Sequence, residues 1–159
     1  IVSFNFDEEA SVAGKPGISY ASSINRRGDH GSFSPIDTHI SLLASGPDFR
    51  PGLRDPLPTS NIDIAPTVAR ILGLKMPDVQ GRVLEEALLD GPAFDAFSLT
   101  NKTIKSSIRT DLAIRKPVDI GGGTIDAALT AYSVELKTKI LTRSGVSHTY
   151  FDQAKAVRE

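Results

Sequence analysis

The sequence has 159 residues, enough for one ordinary domain or for one domain with an appendage, and its composition, 40% hydrophobic and 23% charged, is that of a globular chain. Eighteen Lys and Arg residues against nineteen Asp and Glu give a net charge of −1, which argues against a nucleic-acid-binding surface. The absence of Cys excludes disulfides, thiolate metal sites and a Cys nucleophile.

No apolar run approaches the roughly 18 residues that a membrane-spanning helix requires, so we expect no membrane span. The sequence begins at Ile1 and its single Met is Met76, so we expect a processed, truncated or incompletely recorded chain. Residues 1 to about 60 are rich in Gly and Pro, and they contain two short apolar stretches. Ile1–Phe6 alternates in part and predicts a strand, and Ile40–Ala44 predicts a buried strand that ends at a Ser-Gly-Pro loop.

The clearest helix signals follow. Asp63 is a favourable N-cap, and Pro66 falls in the first turn, where its missing N–H costs nothing. Gly73 predicts the C-terminal stop. Val83–Leu89 predicts a second, shorter helix, which the residues Asp-Gly-Pro end. The first helix has one apolar face with a four-residue repeat, made by Ile64, Val68 and Leu72.

The last third of the chain favours β-structure. Phe97–Ile114 is polar and rich in β-branched residues, and Ala131–Ile140 alternates roughly between apolar and polar side chains. Arg143-Ser144-Gly145 predicts a turn that closes a hairpin with His148–Phe151. The expected apolar face of this hairpin comprises Tyr132, Val134, Leu136, Tyr150 and Phe151. We therefore expect an α/β unit to about residue 90, followed by an antiparallel β extension.

The loop that contains His30 holds the candidate metal ligands of the sequence. Glycines at 28 and 31 leave room for the imidazole to project, and neutral imidazole is the commonest nitrogen ligand of zinc. Asp29 is either a second ligand or an acceptor for a ligating His. From spacing alone, a solvated loop histidine that caps a turn is the competing interpretation.

Three segments resemble, in order and spacing, the late metal-ligand region of the alkaline phosphatase superfamily. They are residues 28–49, the stretch Ser60–Thr67 with Ile71–Leu74, and the stretch Gly81–Leu84 with Glu86–Leu88. The resemblance is closest to the nucleotide pyrophosphatase/phosphodiesterase (type I phosphodiesterase) and sulfatase-like branch, and it covers about residues 28–90. It implies a mostly parallel sheet flanked by helices, and a site with two divalent metal ions, commonly Zn²⁺.

By this resemblance, His30 is the late histidine ligand, Asp29 is a further candidate ligand, and His39 has no ligand counterpart. The family's nucleophile and its remaining ligands lie upstream of these segments. The resemblance thus implies the C-terminal segment of a metal-dependent hydrolase of phosphodiesters or related phosphate or sulfate esters. Residues 1–90 would be the C-terminal part of the hydrolase domain and 91–159 a β-rich extension. Its partners would be a small-molecule ester and the upstream part of the same protein, and the chain alone would be inactive.

Two other functions remain open at this point. One is a non-catalytic binding module on the same scaffold, without a metal. The other is a fragment of an ATPase, because Val118–Asp126 resembles the phosphate-binding hairpin of the actin and heat-shock-chaperone ATPases. Consecutive glycines at 121–123 would let backbone N–H groups converge on an anion. However, Lys116-Pro117 breaks the strand that should precede this hairpin.

Overall fold

The computed structural model describes residues 6–19, 32–108 and 131–158. Over these ranges the protein is a mixed α/β chain with few helices and an antiparallel three-stranded sheet. Its strands are β1 (Phe6–Val12), β2 (Lys15–Ser19), β3 (Ser98–Lys105), β4 (Tyr132–Arg143) and β5 (Val146–Arg158). Its helices are α1 (Pro35–Thr38) and α2 (Ile64–Ile71), and 3₁₀ turns lie at Asn61–Asp63, Glu85–Ala87 and Phe94–Ala96.

Two tight hairpins organise the strands. β1 and β2 pair antiparallel around Ala13 and Gly14, whose φ angles of 50° and 75° are those of a two-residue turn that matches strand twist. The three-stranded sheet has the order β3-β4-β5. Its β4–β5 turn uses Ser144 and Gly145, again at positive φ, which confirms the hairpin predicted from the sequence.

The apolar face predicted for this hairpin is wrong in part. Val134 and Phe151 are exposed, and the residues of β4 and β5 that are buried are Ser133, Thr138, Leu141 and Tyr150. The buried positions of β4 do not keep one alternation along the strand, so a single apolar face could not be extrapolated along it.

Helix α2 begins and ends where the sequence predicts. Gly73 has φ of 67°, and the Leu74 N–H donates to the carbonyl of Ala69 at 2.8 Å, so the last turn closes through a left-handed glycine. The side chains of α2 that are buried are Pro66, Thr67 and Ala69. The apolar stripe is instead exposed to solvent, by 42% for Ile64, 47% for Val68 and 63% for Leu72.

Two predicted elements are corrected. Ile40–Ala44 forms no strand and is not buried: Ile40 is 63% exposed and Leu43 93%. A strand needs a hydrogen-bonded neighbour, and within the described residues none pairs with this run. Val83–Leu89 forms only the 3₁₀ turn Glu85–Ala87, because burial alternates between successive residues here rather than following a helical period.

The chain divides into two compact units. One comprises Ile1–Ile40, Thr103–Lys137 and Asp152–Glu159, and the other comprises Ser41–Lys102 and Thr138–Phe151. The division predicted from the sequence, 1–90 and 91–159, stays a prediction. A search of the described residues finds no helix with the length and apolar character needed to cross a membrane.

Candidate functional site

The predicted ligands Asp29 and His30 lie outside the described residues, and so does the glycine-rich stretch 121–123. The structure describes the chain from Ser32 onwards. Here the Ser32 N–H donates to Asp37 Oδ2 at 3.0 Å, and the Thr38 N–H donates to the carbonyl of Ser34 at 3.0 Å. The segment that follows the candidate metal loop is therefore a compact turn that leads into α1.

His39 ends this turn and contacts an acidic residue far away in the sequence. Its Nε2 lies 2.8 Å from Asp152 Oδ1, and the neighbouring Thr38 hydroxyl donates to the Asp152 carbonyl at 2.8 Å. The imidazole remains half exposed. Sequence reasoning missed Asp152, because the two side chains are 113 residues apart and no local pattern indicates such a pair.

The described part of the chain contains no group of three or more His, Asp or Glu side chains arranged to hold a metal ion. Two zinc ions need about eight ligand positions in tetrahedral geometry. A loop with Asp29 and His30 would supply two of them at most, so the resemblance requires that other segments complete the site.

The best-built polar site in the described residues is buried. We call it the Arg82 cluster; it comprises Asp63, Arg82, Glu86 and Tyr150. The guanidinium of Arg82 donates to both carboxylate oxygens of Glu86, at 2.7 and 2.5 Å, and its Nε donates to the hydroxyl of Tyr150 at 2.7 Å. Bidentate pairs of this kind are among the strongest hydrogen-bonded contacts in proteins.

Asp63 completes the cluster in a way that corrects its predicted role. It stands at the N-cap position of α2, but its carboxylate accepts no N–H from that helix. It accepts instead from the N–H of Ser60 at 2.9 Å, the N–H of Arg82 at 2.8 Å and the hydroxyl of Tyr150 at 3.1 Å. Asp63 therefore holds the segment around α2 to the segment that begins at Gly81.

Thr67 and Gly81 also contribute to the contact between the segment around α2 and the segment that begins at Gly81. The Thr67 hydroxyl donates to the Asp63 carbonyl at 2.6 Å and accepts the Leu84 N–H at 3.0 Å. A Cβ on Gly81 would lie 2.0 Å from the carbonyl oxygen of Ile62, which no side chain tolerates. Position 81 thus requires glycine, because the backbone of Ile62 lies too close to leave room for a Cβ.

Burial and neighbouring charges shift the pKa values of two members of the cluster, Tyr150 and Arg82. Burial raises the pKa of Tyr150 to about 12, so its phenol stays neutral. Burial alone would lower the pKa of Arg82, but the hydrogen bonds and charge of Glu86 outweigh it and the pKa is raised. Arg82 is therefore a permanent cation. Across the described residues, no buried side-chain nitrogen or oxygen lacks a hydrogen-bond partner. The cluster is therefore a satisfied structural network.

A cleft of about 460 Å³ lies beside the cluster, and its walls include Phe97, Leu141, Arg143 and His148. Arg143 forms an ion pair with Glu85, and its guanidinium lies 5.5 Å from the centre of the Phe97 ring. Arg143 is therefore already paired with a carboxylate in the wall of the cleft.

Comparisons with known proteins add no assignment. The sequence matches no family model, no curated protein and no solved structure.

Proposed function

We propose that this chain is the C-terminal segment of a metal-dependent hydrolase of phosphodiesters or related phosphate or sulfate esters, from the alkaline phosphatase superfamily. In this proposal His30 supplies a late ligand to a two-metal Zn²⁺ site, and Asp29 is a further candidate ligand. The proposed fold of the whole domain is a mostly parallel sheet flanked by helices, to which the region up to residue 90 contributes its last elements.

The observation that carries the proposal is the apolar surface that residues 28–90, the region with the family resemblance, expose to solvent. The run Ile40–Ala44 is apolar except at Ser41, as is common in a strand buried on both faces. The stripe of α2 has the pattern of a helix that covers a sheet. Large exposed aliphatic surfaces usually mark an interaction site. Both features are expected of elements that pack against a sheet whose other strands come from elsewhere in the protein.

The Arg82 cluster gives further support. It joins two of the three segments that carry the resemblance, through Asp63 on one side and Arg82 with Glu86 on the other. Segments that resemble consecutive elements of one family domain are expected to pack together. This packing is local, and it can persist when other strands of the domain are missing.

In this proposal, the loop that contains His30 contributes a metal ligand. The neutral imidazole of His30 would hold a Zn²⁺ ion through one ring nitrogen, and a two-metal site would supply stabilisation of the charge that develops on the transferred group. His30 would fix the position of one ion. The chain supplies no complete ligand set among its described residues, so it should not hydrolyse esters alone.

Hydrolysis of a chromogenic phosphodiester and a chromogenic sulfate tests the proposal, with and without a chelator. The chain alone should be inactive, and together with the upstream part of the protein it should give chelator-sensitive hydrolysis. His30→Ala should then lower the rate at least about tenfold, as loss of a metal ligand does. His148→Ala, which removes an imidazole from β5, is the matched control and should leave the rate unchanged.

Three results would contradict the proposal. They are chelator-sensitive turnover by the chain alone, a reconstituted His30→Ala protein with full activity, and no hydrolysis of either ester by the wild-type reconstituted protein. The last of these, without zinc binding, would favour a non-catalytic module on the same scaffold.

A further inference from the structure

The cleft beside the Arg82 cluster has the size and the lining of a small-molecule site. It encloses about 460 Å³. Small-molecule sites usually span about 300–1,000 Å³, and they combine mainly apolar walls with a few polar groups. The apolar walls of this cleft are Val83, Phe97, Leu141 and Val146. All four belong to one compact unit of the chain, so the cleft is a feature of that unit alone.

Two guanidinium groups border the cleft, and the first of them, that of Arg82, is fully occupied. A guanidinium has five N–H donors. Those of Arg82 donate to both carboxylate oxygens of Glu86, to the hydroxyl of Tyr150, and to the carbonyls of Val83 and Pro58. Arg82 therefore has no donor left for a ligand, and its role in the cleft is that of a wall.

The second guanidinium, that of Arg143, is held in place but only partly used. Its Nη1 pairs with Glu85, and its guanidinium lies 5.5 Å from the centre of the Phe97 ring. Among the described residues, no hydrogen bond involves its Nε or Nη2. These two nitrogens form an edge of the guanidinium that can hold a carboxylate through two parallel hydrogen bonds. The side chain is 37% exposed, so a ligand can reach it.

We propose that this cleft binds a small organic acid, an aryl or alkyl monocarboxylate. The apolar part of the acid packs against Phe97 and Leu141, and its carboxylate accepts hydrogen bonds from Nε and Nη2 of Arg143. Glu85 stays on Nη1, and its negative charge favours a singly charged carboxylate over a doubly charged phosphate. The inference does not rest on the proposed function, because none of these residues belongs to the metal loop.

The test is a titration of the full chain with 3-phenylpropionate, followed through the amide chemical shifts. The shifts should saturate with a Kd of about 1 mM or below, the range expected for a ligand of this size. They should be largest at the amides of Val83, Phe97 and Val146. The alcohol 3-phenyl-1-propanol has the same apolar group without the charge, and it should bind at least about tenfold more weakly.

Variants separate the contribution of the cation from that of the apolar wall. Arg143→Leu should bind the acid at least about tenfold more weakly and the alcohol as wild type does, so the preference for the acid disappears. Val146→Asp places a like charge in the wall and should also weaken binding of the acid. Leu89→Asp is its matched control, because Leu89 is 59% exposed, as against 58% for Val146, and does not line the cleft. A denaturant titration checks that each variant is folded.

Three results would overturn the inference. The first is the absence of saturable shifts up to about 10 mM acid. The second is a set of shifts confined to the stripe of α2, at Val68 and Leu72, which would show that the phenyl ring binds exposed apolar surface instead of the cleft. The third is a folded Arg143→Leu protein that keeps the wild-type preference for the acid over the alcohol.

Discussion

The Arg82 cluster differs in an instructive way from two apolar elements, the run Ile40–Ala44 and the stripe of α2. The cluster buries a guanidinium, two carboxylates and a phenol, and every one of these groups is paired. The run Ile40–Ala44 and the stripe of α2 expose aliphatic side chains of the largest size. Globular chains usually do the reverse. The cluster is thus fully paired within the chain, whereas the proposed function requires that other parts of the hydrolase cover the two apolar elements.

The largest expected effect comes from Glu86→Ala. This change leaves the Arg82 guanidinium buried without its bidentate partner, and breaking a buried pair in this way costs about 3–5 kcal/mol of unfolding free energy. A denaturant titration measures the loss. Asp90→Ala, which breaks the exposed pair with Arg70, is the control and should cost at most about 1 kcal/mol. Equal losses in the two variants would show that the cluster is not a stabilising core.

The sequence predicted α2, its glycine stop and the β4–β5 hairpin, because caps, periodicity and turn residues are local signals. It did not predict the Arg82 cluster. A buried Arg or Glu has no distinctive local pattern, and its partners Asp63 and Tyr150 are 19 and 68 residues from Arg82 in the sequence. Apolar periodicity indicated an apolar face on α2, but periodicity cannot say whether a partner covers that face.

The second-largest loss of unfolding free energy is expected from Gly81→Ala. The new Cβ would meet the Ile62 carbonyl, a backbone atom that cannot rotate away, so we expect a loss of about 1–3 kcal/mol. Gly52→Ala is the control, because its Cβ would have open space and only its left-handed φ of 66° costs energy. Thermal or chemical denaturation compares the two. A Gly81→Ala protein as stable as wild type would show that the segments around Ile62 and Gly81 do not pack as closely as described.

A smaller effect on stability is expected from Asp55, whose carboxyl interacts with Glu86 of the Arg82 cluster. Burial, followed by the nearby charge of Glu86, raises the pKa of Asp55. A carboxyl whose pKa is raised by folding contributes stability below its unfolded pKa, and loses it as the pH rises through the folded pKa. The stability of Asp55→Asn should therefore rise relative to wild type as the pH increases through this window. Urea titrations of both proteins across acidic to neutral pH measure the difference, and a difference that falls with pH would contradict the assignment.

The smallest effect on stability is expected on the apolar stripe. Leu72→Lys should change the unfolding free energy of the chain by no more than about 0.5 kcal/mol, because the side chain is already exposed. If the proposed function holds, the same change should weaken association with the proposed upstream part of the hydrolase, measured by titration calorimetry. Leu89→Lys is the matched control, since this exposed leucine lies outside the stripe. Equal binding by both variants would show that the stripe is not an interface.

Amide hydrogen exchange at Ile40–Ala44 tests the central claim most directly. In the chain alone these amides should exchange at nearly unprotected rates, because within the described residues no strand pairs with them. If the proposed function holds, their exchange in the active protein reconstituted with its proposed upstream part should slow by at least about a hundredfold, since paired strands open only at a cost of several kcal/mol. Fast exchange in the active protein would contradict the account.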